Sequence, residues 1–118
     1  VIFAGGIGNP YVTTDYTAAQ RALETRSDGL LFAKNKACGI FTADPQKDPE
    51  ARMYRRMNYN TILHNNLTIV DQQSVIIARD NHMPFHVFDF DEKQTITRIC
   101  AGDQDVGTIV DMVDDVMI

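Results

Sequence analysis

The chain has 118 residues, 44% of them hydrophobic and 23% charged, with a formal net charge of −5. That length and balance describe one globular domain rather than a disordered segment. The acidic charge excludes sequence-independent binding to a nucleic-acid backbone, which needs clustered Lys and Arg, and no apolar run approaches the length that spans a bilayer.

The elements follow in chain order. Val1–Ala4 (VIFA) is a short continuous apolar run and reads as a strand covered on both faces. Because such a strand needs neighbours on both edges, we expect it to continue a longer polypeptide. A glycine-rich loop follows, and Thr14 to Thr25 reads as a helix with Ala18, Ala22 and Thr25 near one face. Thr14 is the expected cap, Thr17 and Gln20 have capping-box spacing, and Ser27-Asp28-Gly29 ends the helix. Leu30–Ala33 is a second buried strand, Lys34–Gly39 a polar turn, and Ile40–Thr42 a short extended piece. The segment 43–51 carries two prolines and forms no regular element.

Asn58 or Thr61 opens the next helix, which holds Ile62 and Leu63. Asp71 to Asn81 reads as a helix capped by Asp71, with Val75, Ile76 and Ala78 inward. Phe85–Phe88 is a strand, Glu92–Ala101 a helix with Ile96 and Ile99 on one face, and Gly107–Val110 a final strand. Residues 111–118 form an acidic tail after a domain spanning 1–110. This alternation predicts an α/β fold, a three-layer α/β/α sandwich with a largely parallel sheet. Ligands in such sheets bind beyond the carboxyl ends of the strands, where the Gly5–Asp15 and Lys34–Pro45 segments leave.

Cys38 and Cys100 have no CxxC spacing and read as free thiols, and His64, His82 and His86 do not pair with them at zinc spacing. No metal ligand set is expected. Arg52, Arg55 and Arg56 read as a solvated loop face.

The stretch GGIGNPYVTTD, Gly5 to Asp15, carries the chemistry. Its glycines let backbone approach a ligand, Asn9-Pro10 makes a rigid turn, and Thr13 and Thr14 place hydroxyls and amides at a helix N-terminus, which attracts anions. It matches neither the dinucleotide-binding glycine pattern nor the Walker A loop. The residues alone support two readings, a tight turn with a helix cap or a phosphate loop. Asp15 either favours the helix dipole, faces a metal–phosphate complex, or holds a cationic side chain from elsewhere.

The stretch VIFAGGIGNPYVTTDYTAA resembles the loop written AGGTGNPxFTTDxAA in the bacterial-type uridylate (UMP) kinases of the amino acid kinase superfamily. SDGLLFAKNKACGIFTADPQKDPEA is similar to ADVLLxAKxVDGVYTADPxKxPxA, ARDNHMPFHVFDF to ARDNxxPIRVFN, and GDQDVGTIV to GExxGTxV. The likeness is collinear from Val1 to Val110. It implies the carboxyl-terminal half of an amino acid kinase-like fold. It also implies a cytoplasmic, homohexameric enzyme of pyrimidine biosynthesis that moves the γ-phosphoryl of ATP to UMP with Mg²⁺ held mainly through phosphates. By position, Ile7, Gly8, Asn9, Pro10, Tyr11, Val12, Thr13 and Thr14 would bind UMP. Asn35, Phe41 and Asp44 would line the ATP site, and Asp15 and Asp71 would serve catalysis. The family's lysine-bearing strand, GGG-type loop and arginine for the phosphates lie in its amino-terminal half.

Several positions depart from the pattern. Ile7 replaces a Thr and Cys38 an Asp, His86 stands for Arg, Asp89 for Asn, and Gln72-Gln73 for small residues. Ile7 and Cys38 favour the alternative, a non-catalytic nucleotide- or anion-binding module of the same fold.

Overall fold

The computed structural model describes all 118 residues. Two blocks of strands and helices build one sheet with helices packed on it. Helix α1 (Thr14–Glu24) leads into β1 (Leu30–Lys34). Strand β2 (Tyr54–Asn58), helix α2 (Tyr59–His64) and helix α3 (Gln72–Asp80) follow. Strand β3 (Phe85–Asp89), helix α4 (Thr95–Cys100) and strands β4 (Thr108–Asp111) and β5 (Val116–Met117) complete the chain.

The strand order is β1-β3-β4-β2-β5. β1 runs parallel to β3 and β2 parallel to β4, while β3–β4 and β2–β5 are antiparallel. The α/β class holds, but the sheet is mixed rather than largely parallel, because β4 returns beside β3 in the opposite direction. β1 and β5 are its two free edges.

The core lies between the sheet and helices α1 to α3. Strand β3 is central, with Phe85, Val87 and Phe88 at most 2% exposed. Phe32 and Tyr59 both meet the Phe85 ring edge-on, at 5.4 and 5.8 Å between centroids. The Tyr59 hydroxyl donates to the Met83 carbonyl at 2.6 Å, so the phenol is buried with its polar tip satisfied. Successive side chains alternate faces along a strand. His86 and Phe88 therefore serve the opposite face, where the His86 ring bonds the Val106 carbonyl.

Caps explain the helix starts. Asn58 accepts from the Asn60 amide and Asp71 from the Gln73 amide, both at 3.0 Å. At α1 the expected cap fails. Thr13, not Thr14, is the capping residue, yet it makes no side-chain cap bond because its hydroxyl donates to Asp71 Oδ2 at 2.8 Å. Thr17 bonds back to the Thr13 carbonyl instead of forming a capping box.

Further expectations are corrected. Val1–Ala4 form no strand; they pair with nothing in this chain, and Val1, Ile2 and Phe3 are 114%, 93% and 57% exposed. Helix α4 starts at Thr95 rather than Glu92, after Gln94 turns left-handed at φ 62°. Ile76 faces outward while Ser74 takes an inward position, since α3 packs through Ser74, Val75 and Ala78. Ile96 is also exposed.

Arg52 is exposed and outside any strand, as expected, but Arg55 and Arg56 are half-buried and not on a loop. Arg55 and Arg56 lie on β2 and donate to the Gly107 carbonyl and to Gln104, and Arg52 reaches the Ile118 carbonyl. The tail is held as well: β5 pairs with β2, and Asp115 accepts the Asn58 amide and the Thr61 hydroxyl. No helix is long and apolar enough to cross a membrane.

Candidate functional site

Two open clefts lie beside the carboxyl end of β1. The first encloses about 590 Å³ between the Lys36–Gln46 segment and Asn66–Ile69. Lys36 turns left-handed at φ 57° and reverses the chain just past β1. Gly39 then passes where no side chain fits: a Cβ there would stand 2.7 Å from both Met53 Sδ and Thr108 Oγ1. Ile40 is pinned behind it, its amide donating to Thr108 Oγ1 at 2.8 Å, and that hydroxyl donates onward to the Tyr54 carbonyl. The buried Thr108 therefore fixes the floor of the cleft.

Phe41, half-buried, lines this cleft and bridges to Met53 across the sheet margin. Asp44 lines it too and caps the turn that follows, accepting from the Gln46 amide at 3.0 Å. Cys38 is an exposed free thiol in the wall, 3.9 Å from Met53 Sδ. Asn35 is exposed and sits just outside the lining. The volume and the mixed apolar and polar walls suit a nucleotide-sized ligand.

The second cleft encloses about 530 Å³, and Thr13, Asp15, Thr68, Asp71 and Gln72 are among its lining residues. Asp15, in the first turn of α1, binds Lys34 Nζ through both oxygens at 2.8 Å. Asp15 Oδ2 also accepts the Asp71 amide at 3.2 Å. Of the readings open for Asp15, the structure realises the cationic partner. Asp71 divides its oxygens between the Thr13 hydroxyl and the Gln73 amide. Thr68 lines both clefts, so the two spaces adjoin at that residue.

The rest of the glycine loop stands clear of the body. Gly5, Gly6 and Gly8 have positive φ, and a Cβ on any of them would meet nothing within 4 Å. Asn9, Pro10 and Tyr11 are exposed, Ile7 and Val12 half-buried, and Thr14 opens α1 from an exposed position. The fold thus gathers Thr13, Asp15 and Asp71 in one place and Phe41 and Asp44 in another. It leaves Gly8, Asn9, Pro10 and Tyr11 exposed and Ile7 and Val12 half-buried, none of them lining either cleft.

Three site residues escaped the sequence reading. Lys34 read as the start of a polar turn, Lys36 as part of it, and Thr68 drew no attention. The available signal for Lys34 was its place directly after a buried strand, the end where parallel sheets bind ligands. No group of three or more His, Cys, Asp and Glu side chains is arranged to hold a metal ion. The oxygens of Asp15 and Asp71 are taken by protein donors.

The match to known proteins is extensive. The amino acid kinase family model matches residues 1–89. A uridylate kinase of Frankia alni is 41% identical over 111 residues, covering 94% of this chain and 43% of the relative. One from Baumannia cicadellinicola is 43% identical over 110 residues, with 93% and 43% covered. The crystal structure of UMP kinase from Bacillus anthracis superposes with a TM-score of 0.92 at 43% identity, over 96% of this chain and 46% of that one. An aspartate kinase from Synechocystis shares the fold at TM-score 0.63 and 23% identity, over 86% of this chain and 16% of that one. The chain thus spans under half the length of the curated relatives it matches. Fold and sequence agree that this chain belongs to the amino acid kinase family.

Proposed function

We propose that these residues form the nucleotide-binding part of a UMP kinase, which transfers the γ-phosphoryl of ATP to UMP. The observation that carries the reading is the meeting of two clefts at Thr68, one lined by Phe41 and Asp44 and the other by Thr13, Asp15 and Asp71. Transfer between two nucleotides needs two adjoining sites with their phosphates brought in line. ATP is assigned to the first cleft, its base against Phe41, and UMP to the loop Ile7–Thr14 and the second cleft. Similarity to uridylate kinases at 41% and 43% identity supports the choice of acceptor.

An ionised phosphate is already a competent nucleophile, so no general base is required. That agrees with Asp15, whose oxygens are occupied by Lys34 and the Asp71 amide. The work of this chain is to bind and orient: Thr13 and the amides of the loop face the acceptor, and Lys36 lies at the donor cleft. Magnesium carried on the phosphates of ATP would supply charge neutralisation there when bound. A cytoplasmic setting, a homohexamer and a place in pyrimidine biosynthesis belong to the same proposal for the whole protein.

Calorimetric titration tests the reading. ATP and UMP should each bind and raise the thermal midpoint, and a coupled assay on the 118-residue chain should show no UMP-dependent ADP release. Absence of binding by both nucleotides would reject the assignment. Cys38 in the donor wall favours a second reading, a nucleotide-binding module without catalysis. Binding of both nucleotides by the intact protein, without turnover, would select it.

A further inference from the structure

Asp15 and Asp71 lie far apart in sequence but face one space of about 530 Å³. Two carboxylates are a poor wall for an anionic acceptor. One cation corrects this: Lys34 Nζ sits 2.8 Å from each Asp15 oxygen, with the two side chains 22% and 18% exposed. The ammonium also lies 5.5 Å from the centre of the Phe32 ring, which steadies it from the core side. Through Asp15 the contact reaches the Asp71 amide, and through Asp71 it reaches the Thr13 hydroxyl. The end of β1, the start of α1 and the start of α3 are thereby tied at one ammonium group.

We propose that Lys34 is a positioning residue of the acceptor cleft. It holds Asp15 against the α3 cap and cancels its charge, so that an incoming phosphomonoester meets the amides at the start of α1 instead of a bare carboxylate. The identity of the acceptor as UMP rests on the function proposed above; the positioning role rests on the contacts themselves.

The experiment compares Lys34→Met, Lys34→Arg and the double variant Asp15→Asn/Lys34→Met in the intact protein. It reads calorimetric affinity for UMP, affinity for ATP, and hydrogen exchange of the Asp71 amide. An uncompensated carboxylate at this range disfavours a second anion by about tenfold or more. Lys34→Met should therefore lose at least about tenfold in UMP affinity while ATP affinity stays within about twofold. Its Asp71 amide should exchange faster, and Lys34→Arg should restore both properties. Removing the Asp15 carboxylate as well should bring UMP affinity back, because the charge that Lys34 balances is then gone and only Asp71 remains, as in the parent.

A double variant as weak for UMP as Lys34→Met would mean that Lys34 contacts the phosphate directly, and the positioning role would fall. Unchanged UMP affinity and unchanged Asp71 exchange in Lys34→Met would also overturn it. If the unaltered protein binds no UMP, yet Lys34→Met speeds Asp71 exchange and Lys34→Arg reverses it, the functional reading fails and Lys34 keeps its role. If exchange is also unaffected, both fail.

Discussion

Thr108→Val replaces a hydroxyl by a methyl at nearly constant volume in a fully buried position. The hydroxyl accepts the Ile40 amide at 2.8 Å and donates to the Tyr54 carbonyl at 2.5 Å. The valine leaves the amide without a partner and the carbonyl with one fewer. A buried group left unsatisfied costs about 1–3 kcal/mol, the carbonyl less because it keeps a second lone pair, so the sum is about 2–4 kcal/mol. For a domain of this length each kcal/mol shifts the midpoint by roughly 4 °C, which predicts a drop of about 8–16 °C. Denaturant unfolding should show a lower midpoint at constant slope. Thr108→Ser keeps the hydroxyl and should lose only about 1 kcal/mol for its methyl group. Because Ile40 lines the donor cleft, the valine variant should also bind ATP more weakly. A valine variant within about 0.5 kcal/mol of the parent would refute the bonding argument.

Gly107 has φ 61°, and an added Cβ would stand 2.1 Å from the Val87 carbonyl oxygen, so Gly107→Ala should destabilise by about 3 kcal/mol or more. Gly102→Ala, with φ 92° and open space around it, should cost only about 1 kcal/mol; equal losses on urea unfolding would show that the clash is not felt. Burial first, and the Asp111 carboxylate second, push the Tyr59 phenol well above its ordinary value. Its neutral form is favoured by folding, so that contribution is present below about pH 10 and lost as pH rises beyond it. Ultraviolet titration should show Tyr59 staying protonated until the chain unfolds, and Tyr59→Phe should flatten the alkaline loss of stability. Burial, aided by Arg55, holds His86 below its ordinary value against the opposing Val106 carbonyl and Asp103. Neutral His86 therefore supports the fold above about pH 6.5, and the support fades on acidification by up to about 1.4 kcal/mol per pH unit. His86→Gln should reduce the slope of stability between about pH 6.5 and 5, and an unchanged slope would count against the assignment.

Much of the framework is legible where local physics decides it. The apolar runs of β1, β3 and β4 and the side-chain caps at Asn58 and Asp71 depend on neighbours in sequence. β2 was missed because Arg55 and Arg56 make YRRMN look like a wet loop; their charges are answered by Gly107, Gln104 and Asp105, all remote. Strand direction was missed because an apolar run carries no sign of its polarity, and β4 turned out antiparallel to β3. At the site, residue types pointed to Asp15, Asp71 and Thr13 but not to their mutual arrangement. Lys34 and Asp15 meet across 19 positions and Thr13 and Asp71 across 58, contacts that only the folded sheet creates.

The free edge of β1 has a colloidal consequence. Along Leu30–Lys34 the main-chain groups on the outer side have no ladder partner, and Leu31 there is 39% exposed. At the start of the chain, Val1, Ile2 and Phe3 add uncovered apolar area. Such an edge is a template that recruits whatever strand diffuses past. The chain on its own should therefore self-associate as its concentration rises, and a strand seated in cis along β1 would suppress that tendency without altering either cleft.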